Sequence, residues 1–70
     1  MDLLNRLGKA TERMRVQDAS PKSYLSIRHE NGRSYLRKMT PTSGWPLCED
    51  FGPFRDGQEV VEHAERLYSK

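Results

Sequence analysis

Cys48, His29, His63 and ten carboxylates are the side chains of this 70-residue chain with the chemistry of metal ligands, nucleophiles or proton carriers. Their spacing does not gather them. Structural zinc takes four ligands, with cysteines and histidines clustered a few residues apart, and no pair among Cys48, His29 and His63 has that spacing. A thiol and an imidazole are two parts of a nucleophilic arrangement, but nothing in the order of residues brings these together. Burial is the usual fate of a single small thiol. Glu49 and Asp50 are adjacent, so on a strand they point to opposite faces and do not form a carboxylate pair. The five glycines are scattered at turns and build no phosphate-cradling loop. So short a chain also has little room for a water-excluding pocket. We therefore expect no enzyme: no catalytic residues, no cofactor and no metal.

A second set of residues suits binding. Tyr24, Arg28, Arg33, Tyr35, Arg37 and Lys38 lie on or beside one predicted hairpin, with Trp45 in the loop that follows. Tyrosine, tryptophan, arginine and methionine are enriched at the cores of protein interfaces. The same arginines on a strand ribbon could enter a major groove and bond guanine, and the tyrosines could stack on unpaired bases. The plain alternative is a solvated sheet face decorated with cross-strand pairs. For Trp45 the balance favours the core, because large aromatics dominate burial in small domains.

The elements that would position these residues begin with the hairpin. Asn31-Gly32 suits a two-residue type I′ turn, which requires positive φ at both positions. That register pairs Glu30 with Arg33, Arg28 with Tyr35, Ser26 with Arg37 and Tyr24 with Met39 on one face. Leu25, Ile27 and His29 then oppose Lys38, Leu36 and Ser34 on the other. A strand's faces do not mix unless the register slips, so Leu25, Ile27 and Leu36 define the core side. Leu47 to Phe51 reads as a third strand. Pro46 lacks an N–H and so belongs at a strand start or on an edge, and Gly52-Pro53 turns the chain so that Phe54 plugs the core. Such an edge can also add to another sheet.

Helices flank the sheet. Asp2 can cap a first helix, with Leu3, Leu4, Leu7, Thr11 and Met14 at helical spacing. Pro21 holds Ser20 out of helical geometry and ends it. Asp56-Gly-Gln-Glu59 reads as an acidic capping box, followed by Val60, Val61, Ala64, Leu67 and Tyr68 on one face. The predicted domain is therefore α+β and spans 1–70: helix 1–16, linker 17–22, three-stranded antiparallel sheet 23–54, and helix 56–69 packed on the sheet. This strand–strand–strand–helix order resembles that of small DNA readers such as integrase arm-binding domains, which implies a sheet turned toward DNA.

Composition sets the remaining expectations. Hydrophobic residues make up 34% and charged residues 31%, so the core is modest. The lone cysteine forms no internal disulfide, no apolar run is long enough for a bilayer, and the amino terminus is too polar for a signal peptide. Cytoplasmic location is the expectation. Net charge is +2 but unevenly spread: nine basic residues against four acids in 1–38, three against six in 39–70. That moderate charge and the Arg/Tyr mixture lead us to expect a protein partner, with DNA or RNA as the alternative and a second copy of the chain as a further candidate. Small intracellular proteins of this makeup often act as regulators or inhibitors, including those of phages and mobile elements, and that general tendency sets the expected role.

Overall fold

The computed structural model describes residues 2–69. It contains helix α1 (Leu3–Gln17), strands β1 (Tyr24–Glu30), β2 (Arg33–Thr40) and β3 (Leu47–Phe54), and helix α2 (Gly57–Leu67). The strands form one antiparallel sheet in the order β1-β2-β3. The α+β architecture is the one expected.

α1 starts where the Asp2 carboxylate accepts the Leu4 N–H at 3.0 Å, satisfying one of the free donors of the first turn. It buries Leu7, Ala10, Thr11 and Met14, and the Thr11 hydroxyl donates to the Leu7 carbonyl at 2.8 Å. The buried stripe is rotated from the predicted one: Ala10 is inside and Leu4 is exposed. The helix ends in a Schellman motif. Ala19 N–H donates to Val16 O and Ser20 N–H to Arg15 O, with Ala19 in the left-handed region at φ 50°.

The β1–β2 hairpin has the predicted register, Tyr24 opposite Met39 through Glu30 opposite Arg33. Asn31 (φ 53°) and Gly32 (φ 74°) supply the positive φ values of its turn. β3 departs from expectation. It does not stop at Phe51 and turn at Gly52-Pro53; it continues through a cis Gly52-Pro53 peptide to Phe54. A register shift between Ser34 and Leu36 absorbs the extra residue, so Leu36 faces Phe51 and Ser34 faces Phe54.

α2 begins at Asp56, whose carboxylate accepts the Glu59 N–H at 3.1 Å. Glu59 reaches back one residue further than a standard capping box, to the Arg55 N–H at 2.7 Å. Val60, Val61, Ala64 and Tyr68 are buried, while Leu67, predicted on the same face, is exposed. The two helices run in the same direction. Leu3 reaches the start of α2, and Lys38 touches both the end of α1, at Asp18, and the Tyr68 ring beyond the end of α2.

Both helices lie on one side of the sheet. Leu7, Ala10 and Met14 from α1, Val60, Val61, Ala64 and Tyr68 from α2 and its end, and Leu25 and Leu36 from the sheet form one cluster. Leu36 is fully enclosed; burying a side chain of that size contributes about 1.5–3 kcal/mol. Leu3, Ile27, Phe51 and Phe54 pack around this cluster, so Phe54 closes its end as predicted. The opposite sheet face has no helix over it.

Candidate binding face

The register fixes what the uncovered face presents. Tyr24, Met39 and Cys48 form one row across the three strands, and Ser26, Arg37 and Asp50 the next. Arg28 stands opposite Tyr35 in the third row, and Glu30 opposite Arg33 at the turn. Side chains alternate along each strand, so these residues share the face that Leu25 and Leu36 do not use.

Asp50 is the hub of the charged centre. Its two oxygens accept from Arg37 Nε and an Arg37 terminal nitrogen at 2.8 and 3.1 Å, a bidentate pair. Arg28 Nε, buried and without a hydrogen bond, lies 3.5 Å from the same carboxylate. Arg28 also donates to Glu30 at 2.6 Å and sits over the Tyr35 ring, 5.0 Å from its centroid. The hydrogen bonds from Arg37 hold the Asp50 carboxyl below its ordinary value, and the same contact raises the Arg37 guanidinium further. The Tyr35 ring is held from the β3 side as well: a Cβ on Gly52 (φ 137°) would stand 3.0 Å from Tyr35 Cδ2 and 3.1 Å from Ser34 O.

Five of the residues singled out from the sequence, Tyr24, Arg28, Arg33, Tyr35 and Arg37, therefore share this face. Lys38 does not. It lies on the helix side, where its ammonium pairs with Asp18 at 2.5 Å and stands 5.8 Å from the Tyr68 ring centroid. Trp45 overturns the expectation of burial: it is 92% exposed, in the loop at the Tyr24–Met39–Cys48 end of the sheet. That loop is braced by the Thr42 hydroxyl, which donates to Trp45 O at 2.7 Å. Cys48 is also exposed instead of buried, because its edge strand puts it on the open face. Asp50 and Gly52 were missed. Their place depends on the β2–β3 register, which a loop of unreadable geometry sets.

On the helix side, His63 packs against Phe51 and Phe54 at ring-centroid distances of 5.6 and 5.1 Å. Its Nε2 is buried without a hydrogen-bond partner, and burial, assisted by Arg66, lowers its pKa below the ordinary 6.5. His29 donates to or accepts from the Ser34 hydroxyl at 2.9 Å. Among the described residues no three His, Cys, Asp or Glu side chains converge in a metal-binding group, and no helix is long and apolar enough to cross a membrane. No protein-family model matches the chain, and no curated protein or solved structure matches it.

Proposed function

We propose that this chain is a non-enzymatic binding protein, a small regulator or inhibitor acting in the cytoplasm by docking on a protein partner through the uncovered sheet face. The observation that carries the reading is the stacking of both helices on one side of the sheet. It leaves Tyr24, Arg28, Tyr35, Arg37 and Met39 with no helix over them, Tyr24 exposed and the other four half-buried among their sheet neighbours. Arg28 and Arg37 already share Asp50, and Arg28 stacks on Tyr35, so the side chains are held in place before a partner arrives. A rigid aromatic and guanidinium cluster of this kind suits an interface core. Phosphate binding has less support, because two of the arginines are compensated by carboxylates of the chain itself.

Nucleic acid is the second reading, favoured by Arg33, exposed at the hairpin turn with no ion pair among the described residues. The test is capture from the native cell by immobilised chain, with and without nuclease. The protein-partner reading expects a stoichiometric protein that survives nuclease and is lost with Tyr35→Ala while circular dichroism shows the fold intact. Capture that nuclease abolishes, together with a salt-sensitive gel shift removed by the Arg28→Ala, Arg37→Ala pair, would replace it with the second reading.

A further inference from the structure

We infer that the free edge of β3 accepts an extended segment of a protein partner as a fourth strand. On its helix-facing side that segment would carry the pattern apolar, basic, apolar. This goes beyond the sheet-face reading and rests only on its protein-partner component.

β3 pairs with β2 on one side and with no strand on the other, so alternate residues turn their N–H and C=O groups outward. Natural sheets guard such edges with lysines, prolines or a covering element. β3 has no lysine or arginine, and its prolines stand at its limits, Pro46 before it and Pro53 near its end. The stretch between them is open, and residues 47–50 are all exposed. Along β1, the other edge, Leu25 is buried and Ser26, Ile27 and Arg28 are half-buried.

The flank beside β3 has a definite chemistry. Leu47, Glu49 and Phe51 share its helix-facing side by alternation, as their pairing with Thr40, Lys38 and Leu36 requires. Below them His63 meets Phe51, and Leu67 lies one helical turn on from His63, on the same flank of α2. α2 runs antiparallel to β3, so Leu67 lies toward the Leu47 end. Leu47 is 63% and Leu67 42% exposed. At the other end, Asp50, Phe51, Gly52, Pro53, Phe54 and His63 line an open recess of about 430 Å³. Leu47 and Leu67 at one end, and the Phe51, Pro53 and Phe54 side chains of the recess at the other, thus bracket the Glu49 carboxylate.

That carboxylate is uncompensated. Lys38, the cross-strand neighbour of Glu49, is committed to Asp18, and Glu49 has no ion pair among the described residues. An incoming strand with a lysine or arginine opposite Glu49 and apolar residues two positions to either side completes all three contacts. A second copy of this chain does not, because antiparallel β3–β3 pairing centred on this stretch sets Glu49 and Asp50 against the same acids.

The test uses two capped seven-residue peptides, Thr-Val-Thr-Lys-Thr-Val-Thr and its Glu-centred counterpart, titrated into the whole chain and followed by amide NMR shifts and hydrogen exchange. The lysine peptide is expected to shift and slow amides within residues 47–51, and the glutamate peptide to do so at least about tenfold more weakly. Glu49→Gln should erase that preference, and Leu67→Ser should weaken the lysine peptide by about tenfold. Tyr35→Ala should leave peptide binding unchanged while abolishing partner capture, which separates failure of the edge from failure of the face. No slowing at residues 47–51 with the lysine peptide overturns the inference. So does a shift map centred on Tyr24 and Tyr35, or a sedimenting dimer whose β3 amides are already protected without peptide.

Discussion

Tyr35 is the residue on which the open face turns. The Arg28 guanidinium covers one part of its ring, and the bare Gly52 backbone leaves room for another. Any side chain at Gly52 meets Tyr35, Ser34 O and a backbone at φ 137° together, so Gly52→Ala should destabilise the fold by roughly 1–3 kcal/mol, measured by urea unfolding. Trp45 has the opposite standing. At 92% exposure it contributes little to the core, so Trp45→Ala should leave the unfolding midpoint nearly unchanged. Ring size alone does not bury Trp45, because the β2–β3 loop holds the ring away from the core.

His63 gives the residue scale a pH signature. Burial between Phe51 and Phe54 lowers its folded pKa below 6.5, so the unfolded chain binds the proton more readily. Stability from this group is complete above the ordinary value and is lost as pH falls through the depressed folded value. Urea midpoints should therefore decline below about pH 6.5, and His63→Phe should flatten that part of the profile. Asp50 and Glu65, both lowered chiefly by their arginine hydrogen bonds, act in the same direction at more acidic pH. That decline should remain in the variant.

At the scale of elements, the hairpin was the most legible part of the chain. Asn31-Gly32 dictates the turn, the turn dictates the register, and the alternation of Leu25, Ile27 and Leu36 against Tyr24, Arg28 and Tyr35 then follows. Both helix starts were legible for a similar reason, because Asp2 and Asp56 have short-range work to do. The helix faces were less so. Leu4 and Ala10 are both compatible with the spacing, and only the placement of α1 beside α2 decides that Ala10 is inside. The end of α1 carries a prediction of its own. Ala19 occupies the left-handed position of a Schellman motif where glycine has no steric penalty, so Ala19→Gly should stabilise the fold by up to about 1 kcal/mol. Thermal unfolding reads this directly.

For the whole molecule, the decisive fact is that two helices share one side of a three-stranded sheet. The spacing of Leu3, Leu7 and Met14 alone does not say which side of the sheet α1 covers, since an apolar stripe fits either side. Packing of Leu7, Ala10 and Met14 against Val60, Val61 and Ala64 resolves it. The candidate face was thus legible in its residues but not in its exposure, and its hub, Asp50, was hidden because only the β3 register brings it to Arg37. One small core carries this arrangement. Leu36→Ala, at the centre of the sheet and fully enclosed, should lose about 2–5 kcal/mol, a large part of a small domain's total stability.

Docking of the uncovered face on a protein can be read by nuclease-treated capture from the native cell, comparing the unmodified chain with Tyr35→Ala and with Trp45→Ala as a variant of unchanged core. A co-purifying protein should be retained through nuclease and lost with Tyr35→Ala at intact fold. Retention that is indifferent to Tyr35→Ala, or that vanishes with nuclease, would contradict it.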